Sequence, residues 1–141
     1  MKLVKWTLIA AVAYLGLVLV VETWLGLFQP TLTETKIPML VITTTEPSGE
    51  ATNRRLARME SGGQIYVSAH HWPRAWYRQA LKNPEVQATI DGDTGDYIAI
   101  PVQGKEYAQV AAEWPIPLRM RFIMGFAPRS LLRLDPRSSQ D

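Results

Sequence analysis

The sequence predicts a mainly β domain, a small antiparallel barrel with two or three short helices, behind one apolar N-terminal helix. Three observations predict it. Short β-branched runs recur between clusters of turn residues, as in LVITTT before EPSG and IYVSA after ESGG. Two later segments switch to helical spacing of their apolar residues. Residues 6–28 are apolar apart from Glu22 and a few small polar side chains.

Residues 6–28 rise roughly 34 Å at about 1.5 Å per residue, enough for a hydrocarbon core of about 30 Å. Lys2 and Lys5 precede them, and Trp6, Trp24 and Phe28 stand near the two ends like an aromatic belt. Glu22 is expected to reach the interface. The residues after the run are bulky, unlike a signal-peptidase site, so the expectation is a single-pass anchor over 1–29. A linker over 30–37, a barrel over 38–135 and a tail over 136–141 follow. Lys2 and Lys5 lean the N-terminus to the cytoplasm, while Lys36, Arg54, Arg55 and Arg58 pull the other way.

Pro38–Thr45 is the first expected strand, and the turn at Glu46-Pro47-Ser48-Gly49 leads to a second over Thr52–Met59. Neighbouring strand residues face opposite sides, so Arg54 and Arg55 cannot both face the core. Ser61–Asp91 then reads strand, helix, strand. Ile65, Val67 and Ala69 point one way; Tyr66, Ser68 and His70 point the other. Pro73 is expected at the first helical position. Trp76, Tyr77, Ala80 and Leu81 make an apolar face, Arg74, Arg78 and Lys82 a basic stripe beside it, and Asn83-Pro84 the stop. Val86, Ala88 and Ile90 alternate as a strand. A turn-rich connection over Asp91–Asp96 leads to a strand over Tyr97–Val102, with Pro101 marking an edge or a bulge. A helix over Gln103–Trp114, a short one within Leu118–Phe126 and a last short strand over Leu131–Leu134 complete the expected elements.

Composition narrows the chemistry. A net charge of +2 lacks the strong basic balance of a nucleic-acid binder. With no cysteine, disulfide frameworks, zinc–cysteine sites, iron–sulfur clusters and thiol nucleophiles are excluded. No G-x-S-x-G elbow, G-x-G-x-x-G or P-loop occurs. The informative place is the strand–helix junction, where His70, His71, Trp72, Arg74 and the N-terminus of a helix meet. Such an end carries free N–H groups and partial positive charge, which suits an anion. His70 and His71, as adjacent strand residues, are expected to face opposite ways, so no metal site is expected of them.

LVITTT, the arginines of the next strand, YVSA, and Trp76-Tyr77 followed by Asn83-Pro84-Glu85-Val86 resemble the deazaflavin-dependent nitroreductase and quinone-reductase family over roughly residues 38–110. The resemblance implies a split β-barrel of the flavin-reductase-like kind. It also implies a reduced deazaflavin, coenzyme F-420, in a groove of the barrel, delivering hydride to a quinone or nitro acceptor; flavin mononucleotide (FMN) is the alternative cofactor. Carried over by position, Asn53, Arg54 and Arg55 fall on the strand that meets the cofactor phosphate. Ser68, His70, His71, Trp72, Arg74, Trp76 and Tyr77 complete the expected cofactor site. No catalytic residue is assigned. His70-His71-Trp72 departs from the basic, glycine-rich loop of the family, and histidine is only partly charged near neutral pH. The alternative function is therefore a non-catalytic ligand- or partner-binding barrel at the membrane. The implied partners are the bilayer through residues 6–28, a quinone-like acceptor and a second copy in a homodimer, with no nucleic acid.

Overall fold

The computed structural model describes residues 2–28, 37–72 and 74–137, and the side chains of all of these but 25–28. Nearly all of the expected linker, Pro73 and the end of the tail lie outside them. The apolar run forms one helix, α1 (Lys2–Phe28). Seven strands follow: β1 (Met39–Thr45), β2 (Ala51–Ala57), β3 (Met59–Ser61), β4 (Gln64–Ala69), β5 (Glu85–Ile90), β6 (Asp93–Pro101) and β7 (Ser130–Pro136). Helix α2 (Ala75–Lys82) joins β4 to β5, and α3 (Gly104–Glu113) and α4 (Leu118–Ile123) join β6 to β7.

All pairings are antiparallel, in the order β2-β1-β5-β6-β7-β4-β3. The two outermost strands, β2 and β3, are separated in sequence by Arg58 alone. A flat sheet cannot hold its opposite edges one residue apart, so the sheet curls until they meet, giving a split barrel. The observed strands are thus seven, because one expected strand is two. The run expected over Thr52–Met59 breaks at Arg58, whose N–H leaves the ladder to donate to Pro38 O (2.8 Å).

The barrel interior is aliphatic. Leu40, Ile42, Leu56, Val67, Ala69, Val86, Ala88, Ala99, Leu132 and Leu134 fill it, and Trp76 and Ala80 of α2 plug one end. Thr44 Oγ1 donates to Gln79 Oε1 (2.6 Å), fixing α2 on β1. Leu81 lies outside this contact at 44 % exposure, so the apolar face of α2 is narrower than expected. The helix also starts two residues later than expected, with Arg74 as its N-cap. Outside the barrel, Met59, Tyr66, Leu131, Val102 and Val110 form a second core under α3. Tyr66 Oη and Arg133 Nη1 both donate to Glu106 (2.9 and 2.7 Å). β4 and β7 are therefore buried on both faces, which is why Leu131-Leu132 is apolar without alternation.

Two boundary expectations change. The β5–β6 turn is only Asp91-Gly92, with φ of 53° and 95°, the left-handed pair that a tight hairpin needs. β6 therefore begins at Asp93. Pro101 is neither an edge nor a bulge residue: it ends a central strand opposite Leu132, and the next N–H, of Val102, bonds Leu131 O (3.0 Å).

Candidate functional site

The curled sheet leaves a groove where the end of β2 faces the end of β4. It is a cleft of about 480 Å³. Arg54 and Leu56 of β2, Ser68 and Ala69 of β4, His70, His71 and Trp76 line one side. Met59, Trp114, Pro117, Met120, Met124 and Arg129 line the other. A second hollow of about 350 Å³ shares His70, Ile116, Met124 and Arg129 with it. Register explains Arg54: it pairs with Ile42, whose side chain fills the barrel, so Arg54 faces inward too. Arg55, its neighbour, faces out.

The polar groups form a chain. Arg129 donates through Nη1 to Trp114 O (2.7 Å) and through Nε to Ser68 Oγ (3.1 Å). Ser68 Oγ lies 3.2 Å from His70 Nδ1. Which of the two donates depends on the tautomer of His70. Burial, then the positive charge of His71, Arg129 and Arg74, push the His70 pKa down to about 4. His71 is pushed down as well, chiefly by burial, against the opposing pull of Glu22. Burial also disfavours the charge of Arg54 and Arg129. Among the described residues the hydrogen-bond partners of Arg129 are all neutral (Ser68 Oγ, Trp114 O and Met59 Sδ), so no carboxylate is paired with its charge there.

The two histidines do not point apart. β4 ends at Ala69, so strand alternation no longer applies, and the rings lie with centroids 4.5 Å apart. Behind them Arg74 donates through Nε to His71 O (3.0 Å) and through Nη1 to Ser130 Oγ (3.1 Å). Its Nη2 is buried without a hydrogen-bond partner among the described residues. His71 Nδ1 lies 3.4 Å from Glu22 Oε1 of α1. Glu22 is 6 % exposed. It is turned into the domain instead of reaching the interface.

Residues 28–119 match the family model described as F420H(2)-dependent quinone reductase. The chain belongs to that family. No curated protein matches it. Among solved structures, an F420-H2 dependent reductase, FDR-A, is similar at 21 % identity and a TM-score of 0.55, over 70 % of this chain and 94 % of that one. A structure described as a domain-swapped dimer is similar at 19 % identity and 0.56, over 94 % and 98 %. HutZ, the haem storage protein from Vibrio cholerae, is similar at 18 % identity and 0.53, over 74 % and 84 %. At these identities the likenesses establish the fold.

Of the positions expected from sequence in this F420H(2)-dependent quinone reductase family member, Arg54, Ser68, His70, His71 and Trp76 line the cleft. Asn53, Arg55, Trp72, Arg74 and Tyr77 do not. Asn53 Oδ1 accepts from Thr43 Oγ1 (2.8 Å) on an exposed face. Trp72 is 52 % exposed. Arg74 supports the loop from behind, and Tyr77 packs edge-on against Trp76 at 6.0 Å. Arg129, Met59, Trp114, Met120 and Met124 were not legible as site residues. Each sits after β2 or beyond α3 and reaches the groove only once the barrel curls.

Proposed function

We propose that this chain is a membrane-anchored oxidoreductase that transfers hydride from reduced coenzyme F-420 to a quinone-class acceptor. The observation that carries the reading is the cleft itself: two inward arginines from different strands and loops beside walls of tryptophan and methionine. A planar ring with an anionic tail fits that set. Arg54 and Arg129, whose charges burial disfavours, would gain from an anion. Trp76, Met59, Met120 and Met124 would pack the ring and exclude water. The bound cofactor supplies two electrons and a proton together as hydride, and the acceptor takes up one further proton to become a hydroquinone. His70, with its pKa pushed down to about 4, is neutral near pH 7 and acts as a hydrogen-bonding group and not as a charged acid. Helix α1, long and apolar enough over Lys2–Trp24 to cross a bilayer, would hold the domain where apolar quinones concentrate. A cytoplasmic cofactor would put the domain on the cytoplasmic side, against the lean of Lys2 and Lys5. A homodimer belongs to the same reading, supported by the similar domain-swapped dimer; light scattering of the purified chain checks it.

The test is a fluorescence titration of the full chain in nanodiscs with F-420 and, separately, with FMN. Micromolar or tighter F-420 binding is expected. FMN binding alone would replace the cofactor, and binding of neither by a folded chain would overturn the enzyme reading.

A further inference from the structure

Helix α1 is not a free tether. Tyr14, Val18 and Glu22, spaced i, i+4, i+8, form one stripe on it, and that stripe lies against the domain. Tyr14 Oη donates to Phe122 O (2.8 Å), and the Tyr14 and Phe122 rings are 4.8 Å apart. Val18, 7 % exposed, presses on Gly125, where an added Cβ would come within 2.7 Å of Val18 Cγ1. Glu22 meets His71. Most of the apolar side chains elsewhere on its described part, including Leu8, Val12, Leu15, Leu19 and Val20, are exposed.

The longer part of α1 beyond these contacts is the one before Tyr14. Those 12 residues rise about 18 Å, short of a hydrocarbon core of about 30 Å. A helix that is apolar all round has to be surrounded by hydrocarbon. α1 can be so surrounded across a bilayer only if the α4 segment touching its second half enters with it. The exposed face of that segment suits this: Leu118 is 70 % exposed and Phe126 48 %, and Met120 and Phe122 are exposed beside them. Arg119 and Arg121 on the same short helix are exposed and long enough to snorkel to anionic headgroups.

We propose that the α4–Phe126 face is seated in the near leaflet alongside the second half of α1, so that the cleft opens through Ile116 and Met120 onto the acyl chains. The occupant of this face is the lipid bilayer. The seating stands on α1 and α4 alone; the further step, that an apolar acceptor enters from the lipid side, rests on the proposed oxidoreductase reading.

The chain has no cysteine, so single-cysteine spin labels are unambiguous. Leu118→Cys, Phe126→Cys, Val12→Cys and Asp93→Cys, each nitroxide-labelled, go into vesicles of phosphatidylcholine with phosphatidylglycerol. Collisions with oxygen and with a water-soluble nickel chelate are then compared. Labels at Leu118 and Phe126 are expected to favour oxygen over nickel as the Val12 label does, while the Asp93 label on the β5–β6 turn is open to nickel. Leu118 is exposed and makes no core contact, so its variant keeps the fold. Nickel access at Leu118 equal to that at Asp93 would overturn the seating, as would an aqueous signal at Val12. F-420 titration reads the cofactor site independently, so failure of one is distinguishable from failure of the other.

Discussion

The barrel interior and the cleft share strands β2 and β4 yet are built on opposite principles. Inside the barrel, Leu40, Ile42, Val67 and Leu132 touch one another, and strand alternation keeps the charges outside. In the cleft, Arg54, Arg129, His70 and His71 are all partly buried, and Glu22 is brought in fully from another helix. Burying charge costs free energy unless something pays it back. The interior is therefore optimised for folding, and the cleft carries a cost that a bound anion would offset.

The largest expected effect breaks the interior. Leu132 is fully buried, so Leu132→Ala is expected to cost about 2–5 kcal/mol of stability. Denaturant midpoints in detergent measure this. A cost below about 1 kcal/mol would mean that the barrel core is looser than its packing indicates.

Acid tests the cleft side of the comparison. His70 titrates near 4 in the folded chain against an ordinary 6.5, so the unfolded chain binds its proton first as pH falls. Its contribution is fully present above pH 6.5, declines below that and is gone near pH 4. The shift corresponds to about 3 kcal/mol. Stability at pH 7.5 and pH 4.5 should differ by an amount that His70→Gln reduces; an unchanged difference in that variant would assign the acid sensitivity elsewhere.

Arg54 and Arg55 sharpen the comparison within one strand. Arg54→Ala removes an inward guanidinium, and a charge-assisted hydrogen bond is worth about 1.5–3 kcal/mol, so F-420 affinity is expected to fall about tenfold or more. Arg55→Ala, on the outer face, is expected to leave it within about twofold. Equal losses in both variants would show that side alternation on β2 does not decide cofactor contact.

What could be read from sequence follows the same division. Alternation at Val86–Ile90 identified a strand because one face of β5 is buried among aliphatic neighbours, and 3.6-residue spacing found α2 and α3 for the same reason. That Arg54 and Arg55 face opposite ways followed from alternation as well, but which of them turns inward is set by the pairing of Arg54 with Ile42. Positions that depend on closure were not legible. Arg129, in Ala127-Pro128-Arg129-Ser130, looks like any solvated loop arginine until β7 places it against Ser68. Arg58 looked like a strand residue because nothing local records that the sheet changes edges there. The histidines were expected to diverge because the end of β4 is set by its pairing with β7, which ends at Ala69–Ser130.

The smallest expected effect lies at the seam between the two helices that bound the cleft loop. Glu22 is the one acidic residue of α1, and it is spent on His71 when solvent or headgroups were within reach of a helix end. Its carboxylate opposes the burial that pushes His71 down. Glu22→Gln keeps the shape and removes the charge, so the His71 titration should move lower still, while His70, tied to Ser68, should move little. Imidazole nitrogen shifts in the labelled protein resolve the two residues. An upward movement of His71 would mean that the Glu22 contact does not favour the charged imidazole, and that α1 is docked by Tyr14 and Val18.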